Sequence, residues 1–280
     1  MELINGNKIK EEMLLEIKKE VANLSFQPIF CDILVGDDRA SVQYVNMKAK
    51  MAESVGIKFH NANFPISITT EELINEIKIL NDTPNMCGII VQLPIPEHLN
   101  KAVILNAINP KLDVDCLGEV ASDLFYANKS NIYPPAASAC MQILDSLNLD
   151  LHKGPEGKKI VVLGQGMLVG KPVSALLKFR GIEPQNINKE TENKEGIIKN
   201  ADIIISGIGQ GKYIMGDMVK EGVVLIDAGT TESNGGIVGD VDLESVESVA
   251  SYVSPVPGGV GPVTVATLLS NVLQVAKNLK

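Results

Sequence analysis

The sequence predicts an α/β protein with two domains, the second of which contains a parallel sheet. Apolar runs of strand length alternate with amphipathic helix patterns along most of the 280 residues, and this alternation is typical of parallel sheets. The pattern pauses in a turn-rich stretch near residues 117–150 and restarts at Gly157. An uncharged stretch over residues 253–276 follows, and its second half has the character of a buried helix.

These observations predict where the domains begin and end. We expect one domain over residues 1–135 together with residues 262–280, and the other over residues 136–261. The last helix, predicted over residues 262–278, comes after the second sheet in the chain. We expect it to pack back on the first domain.

The first domain is predicted to start with an amphipathic helix and to continue with strands and helices in turn. In order, its elements are a helix over residues 5–24, a strand over Ile29–Val35, a helix over Ala40–Val55 and a buried strand over Cys87–Leu93. Between the last two, Thr69 and Glu72 have the spacing of a capping box, which predicts the start of another helix. The second domain is predicted to contain buried strands over Ile160–Leu163, Ile203–Ile208 and Val223–Asp227.

The composition argues against several classes of partner. The hydrophobic fraction of 45% is enough for a substantial core. The net charge of −9 argues against a nucleic acid or an anionic membrane, because binding phosphates requires a basic surface. A small anionic ligand is compatible with this charge, since a local site can oppose the charge of the whole protein.

The cysteines and histidines give no pattern of metal ligands. None of the cysteines forms a CxxC pair, and the histidines are isolated in sequence, so no zinc site is expected. These residues are Cys31, Cys87, Cys116, Cys140, His60, His98 and His152. Reduced thiols in a cytoplasmic protein are the expected state. No signal peptide is expected, because the N-terminus is charged, and Gly and Pro interrupt the uncharged stretch too early for a membrane span.

A glycine-rich turn follows the first predicted strand of the second domain. Gly164 suits a tight turn, Gly166 allows backbone to approach a ligand, and Gly170 allows close packing of a helix on a strand. A helix that starts there offers free N–H groups to a pyrophosphate, as in Rossmann-like folds. The spacing G-x-G-x-x-x-G is one residue longer than the usual fingerprint, so a plain strand–helix turn explains it as well. At the end of the next strand, Lys189 or Glu190 is placed to contact an adenosine ribose.

Tyr44 and Lys48 form the second candidate feature. A spacing of four residues places the phenol and the amine on one face of a helix. A partly desolvated lysine beside a substrate is able to move protons. A solvated lysine next to a packed tyrosine explains the spacing at least as well. Short-chain dehydrogenases use Y-x-x-x-K after their glycine turn, whereas here the pair precedes the turn by more than a hundred residues, which excludes that family.

Four segments in this order resemble the bifunctional methylenetetrahydrofolate dehydrogenase/methenyltetrahydrofolate cyclohydrolase family. They are Val35–Asp38 with Ser41, Tyr44 and Lys48; Val91-Gln92-Leu93-Pro94-Ile95-Pro96; Asp113-Val114-Asp115; and Pro255-Val256-Pro257-Gly258-Gly259-Val260-Gly261-Pro262-Val263-Thr264-Val265-Ala266. The resemblance covers nearly the whole chain, and its last segment is highly specific. It implies a folate-binding catalytic domain, a dinucleotide-binding domain and a cleft between them.

The resemblance also implies roles for individual residues. Lys48 resembles the catalytic lysine and Tyr44 its partner, while Gln92 resembles the glutamine that helps to activate the reacting water. Asp115 resembles the carboxylate that accepts two N–H bonds from the pterin edge. The implied substrate-binding residues are Tyr44, Lys48, Val91, Gln92, Leu93, Asp115, Pro257, Gly258 and Gly259. The implied cofactor-binding residues are Gly164, Gln165, Gly166, Gly170, Lys189, Thr230, Gly261 and Thr264.

The sequence departs from the family pattern mainly on the cofactor side. The usual arginine and serine of the glycine turn are replaced by Gln165 and Gly166, and the usual C-H-S-x-T reads Ile187-Asn188-Lys189-Glu190-Thr191. The arginine and serine favour a 2′-phosphate, so these changes bear on the choice between NADP and NAD. Lys189 is able to substitute as a phosphate partner, while Gln165 and Glu190 suit NAD. NADP is the cofactor that the family implies, with NAD as the alternative.

The resemblance implies an enzyme of one-carbon metabolism that acts on tetrahydrofolate derivatives as a homodimer. It oxidises 5,10-methylenetetrahydrofolate with NAD(P)+ and hydrolyses the methenyl product to 10-formyltetrahydrofolate. A cyclohydrolase with weak or lost dehydrogenase activity is the second hypothesis, because of Gln165 and Gly166. A non-catalytic folate- or nucleotide-binding protein is the third. No metal is expected.

Overall fold

The computed structural model describes residues 1–151, 157–233 and 235–279. They divide into two units, which we name by their principal sheets. The six-stranded unit comprises Met1–Lys10 and Ala136–Thr264, and the three-stranded unit comprises Glu11–Pro135 and Val265–Lys280. The chain passes between the units inside three helices, α1 (Gly6–Val21), α6 (Pro135–Ser146) and α10 (Val260–Asn278).

The three-stranded unit is built on a short parallel sheet with strands in the order β3-β2-β4. Besides parts of the three crossing helices, its elements are β2 (Ile29–Val35), α2 (Arg39–Ser54), β3 (Lys58–Phe64), α3 (Thr70–Asn81), β4 (Met86–Val91), α4 (Lys101–Ala107) and α5 (Glu119–Tyr126). Every residue of β4 is buried, and so is every residue of β2 after Ile29. A strand covered on both faces reads as a continuous apolar run, which is why these two strands are visible in the sequence.

The C-terminal helix α10 contributes to the core of the three-stranded unit. Its residues Leu268, Leu269, Val272, Leu273, Val275 and Ala276 belong to the same apolar cluster as the buried side chains of β2 and β4. A Cβ atom on Gly88 of β4 would lie 2.8 Å from Val272 Cγ2, so only glycine allows this close approach. The predicted packing of the last helix on the first domain is confirmed.

The six-stranded unit is a Rossmann-like sheet with strands in the order β1-β11-β8-β7-β5-β6, all of them parallel. Its elements are β1 (Glu2–Leu3), β5 (Ile160–Leu163), α7 (Gly170–Phe179), β6 (Gln185–Ile187), α8 (Lys194–Lys199), β7 (Ile203–Ser206), a 3₁₀ turn (Gly216–Met218), β8 (Val224–Asp227), β9 (Thr231–Ser233), β10 (Gly236–Val238), α9 (Leu243–Val246) and β11 (Tyr252–Val253). β6 and β7 lie on opposite sides of β5, so the strand order reverses there. Ligands of open α/β sheets bind at such a reversal.

Several predicted elements are confirmed in detail. The strands over Ile29–Val35 and Ile160–Leu163 match residue for residue, and the capping box at Thr69 and Glu72 forms both of its bonds. The predicted helices and remaining strands are present with ends shifted by one to three residues. The last helix begins at Val260, so Gly261 and Pro262 belong to its first turn, where proline is tolerated.

The turn-rich interpretation of residues 117–150 was wrong, since α5 and all of α6 lie there. Pro135 occupies the first position of α6, where proline is tolerated. The units also differ from the predicted domain division at Met1–Lys10 and at residues 262–264, which belong to the six-stranded unit. The reason at the N-terminus is that β1 pairs with β11.

No described helix is both long enough and apolar enough to cross a membrane. Among residues 1–151, 157–233 and 235–279, no three His, Cys, Asp or Glu side chains lie together in a way that would hold a metal ion. His152 lies outside the described residues.

Candidate active site

Lys48 occupies a core position of helix α2. The buried residues of this helix are Ser41, Val45, Lys48 and Ala52, which follow the three- and four-residue spacing of one helix face. The Lys48 side chain is only 1% exposed. A solvated lysine, the alternative left open by the sequence, is therefore wrong.

Three side chains surround the Lys48 ammonium. Its Nζ lies 2.5 Å from Asp32 Oδ2 as an ion pair, and it donates a hydrogen bond of 2.7 Å to Gln92 Oε1. It also lies 4.8 Å from the centre of the Tyr44 ring, within the range of a cation–π interaction. The lysine is thus held on three sides by partners that stabilise its charged form.

The sheet explains why Asp32 and Gln92 meet the same lysine. Asp32 of β2 is paired with Ile90 of β4, and Gln92 follows Ile90 by two residues, so both polar side chains lie on the same face. The Gln92 backbone N–H donates to Ile33 O at 2.8 Å, which continues the ladder beyond the end of β4. Gln92 Nε2 donates to Leu93 O at 2.7 Å, and this bond leaves Oε1 for the lysine.

Asp32 is a residue that the sequence analysis missed. It is fully buried, and burial raises its pKa while the charge and hydrogen bonding of Lys48 lower it. Within the described part of the chain, neither of its oxygens accepts a hydrogen bond of regular geometry, although Oδ2 touches the ammonium. One signal was available: Asp32 is the only charged residue in the apolar run Ile29–Val35.

Asp115 lies in the chain segment between helices α4 and α5. Asp113 is buried and fixes this segment, because its carboxylate accepts bonds from the N–H groups of Gly118 at 2.7 Å and Asp115 at 3.2 Å. The Asp115 side chain is half-buried. Its pKa is raised to about 7, first by desolvation and then by the charges of Asp113 and Asp32, while Lys48 lowers it. These interactions place Asp115 in the same electrostatic cluster as the lysine.

Tyr44 completes this cluster. Burial raises the pKa of its phenol, and the carboxylates of Asp115 and Asp32 raise it further. The phenol therefore stays neutral and can donate a hydrogen bond. The three-stranded unit thus brings together Tyr44, Lys48, Gln92 and Asp115, with Val91 and Leu93 on either side of the glutamine.

The glycine turn of the six-stranded unit connects β5 to α7. Gly164 has a φ of +93°, and a Cβ there would lie 3.0 Å from Gly207 O. A Cβ on Gly170 would lie 1.9 Å from Gly164 O, so the helix starts directly against the turn. Gly166 has no neighbouring atom within 4 Å of its Cβ position and is exposed. No side chain caps the start of α7 at Val169. Pro172 has no N–H and the Lys171 N–H donates to Gly166 O at 3.1 Å, so the first turn leaves the N–H of Gly170 for an anion.

The segment after β6 forms a compact turn around Asn188. Asn188 Oδ1 accepts bonds from the Glu190 N–H at 2.9 Å and from Thr191 Oγ1 at 3.0 Å. The side chains of Lys189 and Glu190 are exposed. Lys194 Nζ donates to Lys189 O at 2.6 Å, so two lysines lie near the end of this strand. Positive charge is therefore available at the predicted ribose position.

Two buried aspartates organise the loops after β7 and β8, and sequence analysis did not single them out. Asp240 accepts bonds from Ser206 Oγ at 2.6 Å and from the N–H groups of Ile208 and Gln210, each at 2.9 Å. Asp227 accepts bonds from the N–H groups of Gly229 and Val241. Burial raises the pKa of Asp227 to about 6. The predicted residue Thr230 is exposed and follows directly on this fixed loop.

The remaining predicted residues lie around the start of α10 in the six-stranded unit. Gly258 has a φ of +104°, and its carbonyl accepts a bond of 3.0 Å from the Gly6 N–H. Thr264 Oγ1 donates to Val260 O at 3.1 Å. Pro257, Gly258 and Gly259, predicted to face the folate, thus belong to a different unit from the Lys48 cluster.

The chain matches two models of one family. Residues 4–115 match the catalytic domain of tetrahydrofolate dehydrogenase/cyclohydrolase, and residues 134–280 match its NAD(P)-binding domain. The bifunctional protein FolD of Nautilia profundicola is 40% identical over 282 residues, which cover 99% of this chain and 98% of that protein.

Solved structures agree with the sequence matches. The bifunctional methylenetetrahydrofolate dehydrogenase/cyclohydrolase FolD of Campylobacter jejuni is 36% identical, with a TM-score of 0.94 over 100% of both chains. The corresponding enzyme of Trypanosoma brucei, solved with NADP and an inhibitor, is 33% identical, with a TM-score of 0.92 over 99% of this chain and 98% of that one.

Proposed function

Because this chain belongs to the tetrahydrofolate dehydrogenase/cyclohydrolase family, we propose that it catalyses both reactions of that name. It oxidises 5,10-methylenetetrahydrofolate to the methenyl cation with a nicotinamide dinucleotide, and it hydrolyses the cation to 10-formyltetrahydrofolate. The observation that carries this proposal is the buried ammonium group of Lys48, together with Gln92 and Tyr44, which contact it.

The cluster supports a division of roles among its members. Asp115, when ionised, accepts two parallel N–H bonds from the amino-pyrimidine edge of the pterin. Lys48 and Gln92 hold the attacking water by hydrogen bonds, and Lys48 moves its proton. Tyr44 keeps the lysine in place through its ring and donates a hydrogen bond through its neutral phenol.

The six-stranded unit supports nicotinamide binding. Binding of a pyrophosphate is supported by the close turn at Gly164, the open position at Gly166 and the N–H of Gly170 at the start of α7, which no side chain caps. The bound dinucleotide supplies the redox chemistry by accepting a hydride. The loops that Asp227 and Asp240 fix are rigid and lie at the carboxyl ends of their strands, where a ligand of this fold binds.

The lysine assignment is tested by replacing Lys48 with methionine. Since general acid–base catalysis contributes between about 10² and 10⁴ in rate, we expect Lys48→Met to lower the kcat of methenyl hydrolysis about 10³-fold. Lys50→Met is the matched control, because Lys50 is exposed on the same helix. Turnover of Lys48→Met at the rate of Lys50→Met would remove Lys48 from the mechanism.

NADP is the cofactor we propose, with Lys189 as the partner of the 2′-phosphate. Its exposed ammonium at the end of β6 supports this role, while Gln165 and Gly166 supply no positive charge. We expect Lys189→Met to raise the KM for NADP+ about tenfold, since a lost charge-assisted contact is worth about 1.5 kcal/mol, and to leave the KM for NAD+ within about twofold. Initial rates with both dinucleotides measure this. Equal effects on the two would assign Lys189 to the shared part of the cofactor or to none.

We further propose that the protein is a cytoplasmic homodimer that associates through its dinucleotide-binding domains. The family resemblance supports this arrangement. Light scattering on the purified protein is expected to give twice the 30.0 kDa of one chain. A mass of one chain at micromolar concentration would contradict the dimer.

A further inference from the structure

Asp32 is the most deeply buried charged side chain of the three-stranded unit, and it lies directly against the reacting lysine. Its carboxylate is 0% exposed, and Oδ2 is 2.5 Å from Lys48 Nζ. A buried ion pair stabilises a fold poorly, because the cost of desolvating two charges offsets their attraction. The pair therefore calls for a chemical explanation in addition to a structural one.

Titratable groups lie around Asp32 on three elements. On its own strand, Cys31 is a buried neutral thiol whose pKa is raised by burial. Helix α2 presents Lys48 and the neutral phenol of Tyr44, and the segment between α4 and α5 presents Asp115. Among the described charged residues, Lys48 forms the ion pair with the Asp32 carboxylate, so Lys48 Nζ is a proton donor in direct contact with Asp32.

We propose that Asp32 is a positioning residue that receives a proton from Lys48, so that the amine left behind can take one from the attacking water. This inference rests on the proposed cyclohydrolase function. An ammonium has no lone pair and cannot act as a base until it has given up a proton. A carboxylate at 2.5 Å provides the acceptor without any contact with bulk water.

The relay balances in atoms and charge. A proton of Nζ first passes to Asp32 Oδ2; the water oxygen then forms a bond to the methenyl carbon as one water proton passes to the neutral Nζ. The substrate changes from a cation to a neutral carbinolamine, and the Asp32–Lys48 pair changes from neutral to a net charge of +1. Opening of the ring and release of one proton to solvent return the pair to its starting state.

The relay also explains how a cationic intermediate is tolerated beside a lysine. The ion pair is neutral before water attacks, so it does not repel the methenyl cation as a lone ammonium would. The positive charge appears on the pair only when the substrate has lost its own. Because of Asp32, the ion pair becomes positively charged only after the substrate cation has been neutralised.

The proposal predicts the behaviour of Asp32→Asn. Asparagine keeps the shape and accepts a hydrogen bond from Nζ, but it takes up no proton. We expect the kcat of methenyl hydrolysis to fall at least about tenfold, the low end of a general-base contribution, with KM within about twofold. Asp32→Glu keeps the acceptor and should recover part of the rate.

The pH profile separates a proton relay from a structural role. In the native protein, the acid limb of kcat follows protonation of the Asp32 carboxyl. In Asp32→Asn, no carboxylate takes up a proton from Lys48, so a base from solvent must take it, and hydroxide becomes more abundant as pH rises. The acid limb should therefore move to higher pH by at least about 1 unit. An unmoved limb, or one that moves to lower pH, overturns the relay.

Two further comparisons make the test decisive. Cys31→Ala is the matched control, since it disturbs the same strand at the adjacent residue and leaves the carboxylate in place. The acid limb of its pH profile should not move.

If the native protein does not hydrolyse the methenyl substrate at all, the proposed function itself is contradicted. If Asp32→Asn does not fold, a proton inventory of kcat in mixtures of H₂O and D₂O decides on the native protein. A curved inventory for two protons is expected, and a linear inventory overturns the relay.

Discussion

The Asp115 carboxyl changes its charge near neutral pH. Desolvation and neighbouring carboxylates raise its pKa from 3.8 to about 7. A raised folded-state pKa in a carboxyl group means that ionisation disfavours the fold. The cost is absent below about pH 4, grows as pH rises to about 7 and is complete above that value.

Asp115→Asn should therefore stabilise the protein increasingly above about pH 4, with the full gain above about pH 7. One pKa unit corresponds to about 1.36 kcal/mol, and allowing for solvent relaxation we expect a gain of about 2 kcal/mol at pH 8 and none at pH 4. Urea denaturation at the two pH values measures this difference. A gain of equal size at both would show that the carboxyl charge is not its source.

The same substitution should weaken folate binding, because an amide accepts fewer N–H bonds than a carboxylate. In the native protein, affinity for a pterin should rise between pH 6 and pH 8 as Asp115 ionises. Asp115→Asn should lose this dependence. Ionisation of Asp115 thus lowers the stability of the fold but strengthens pterin binding. Such an opposition is common at functional sites.

Through the family resemblance, the sequence predicted Tyr44, Lys48, Gln92 and Asp115 as members of the cluster, but it predicted neither Asp32 nor the burial of the lysine. The spacing of Tyr44 and Lys48 placed them on one helix face, and that much followed from local geometry. The burial of Lys48 depends on Asp32 and Gln92, which are distant in the chain and meet it only through strand pairing. Such contacts have no local signal beyond a charge in an apolar strand.

At the scale of elements, the turn between β5 and α7 combines two glycines that differ in their surroundings. A methyl group on Gly170 would lie 1.9 Å from the backbone oxygen of Gly164, whereas one on Gly166 would meet nothing within 4 Å. The first glycine is required by packing. The second is free to vary as far as the fold is concerned.

Gly170→Ala and Gly166→Ala form a matched pair. Overpacking of this kind costs about 1–3 kcal/mol, so Gly170→Ala should lower the free energy of unfolding by about that amount and weaken NAD(P)+ binding at least about tenfold. Gly166→Ala should change stability by less than about 0.5 kcal/mol. Calorimetry with and without dinucleotide measures both quantities. Equal destabilisation by the two substitutions would contradict the packing argument.

Element prediction succeeded where strands are covered on both faces. β2, which is apolar apart from Asp32, and β5, which is apolar throughout, were found without error. The edge strand β3 was not predicted, and β6 was expected only from its place after the glycine turn, without bounds. Most side chains of both strands are exposed, and their sequences, Lys58–Phe64 and Gln185–Ile187, are mixed. These strands are held by backbone pairing with the neighbouring strand, and this pairing produces no pattern in the side chains.

At the scale of the whole molecule, the residues assigned to water chemistry all lie in the three-stranded unit. The residues of the glycine turn lie in the six-stranded unit. Hydrolysis requires no hydride acceptor, so we expect it to proceed without the residues of the glycine turn.

Protein freed of nicotinamide should therefore hydrolyse methenyltetrahydrofolate with a kcat within about twofold of the loaded protein, because the nicotinamide supplies only redox chemistry. Absorbance decay of the methenyl cation measures the rate, and Lys48→Met without dinucleotide gives the background. A strict requirement for bound dinucleotide would show that the six-stranded unit contributes a group to the hydrolysis.

The short strand β1 has a practical consequence for making the protein. Glu2 and Leu3 form the edge of the six-stranded sheet, and Gly6 approaches the loop at Gly258 and Gly259 so closely that a Cβ would lie 1.9 Å from Gly259 O. A purification tag fused ahead of Met1 would begin one residue from this edge strand and a few residues from that loop. The other end of α10, near Asn278, is the better place to attach a tag or a surface linker.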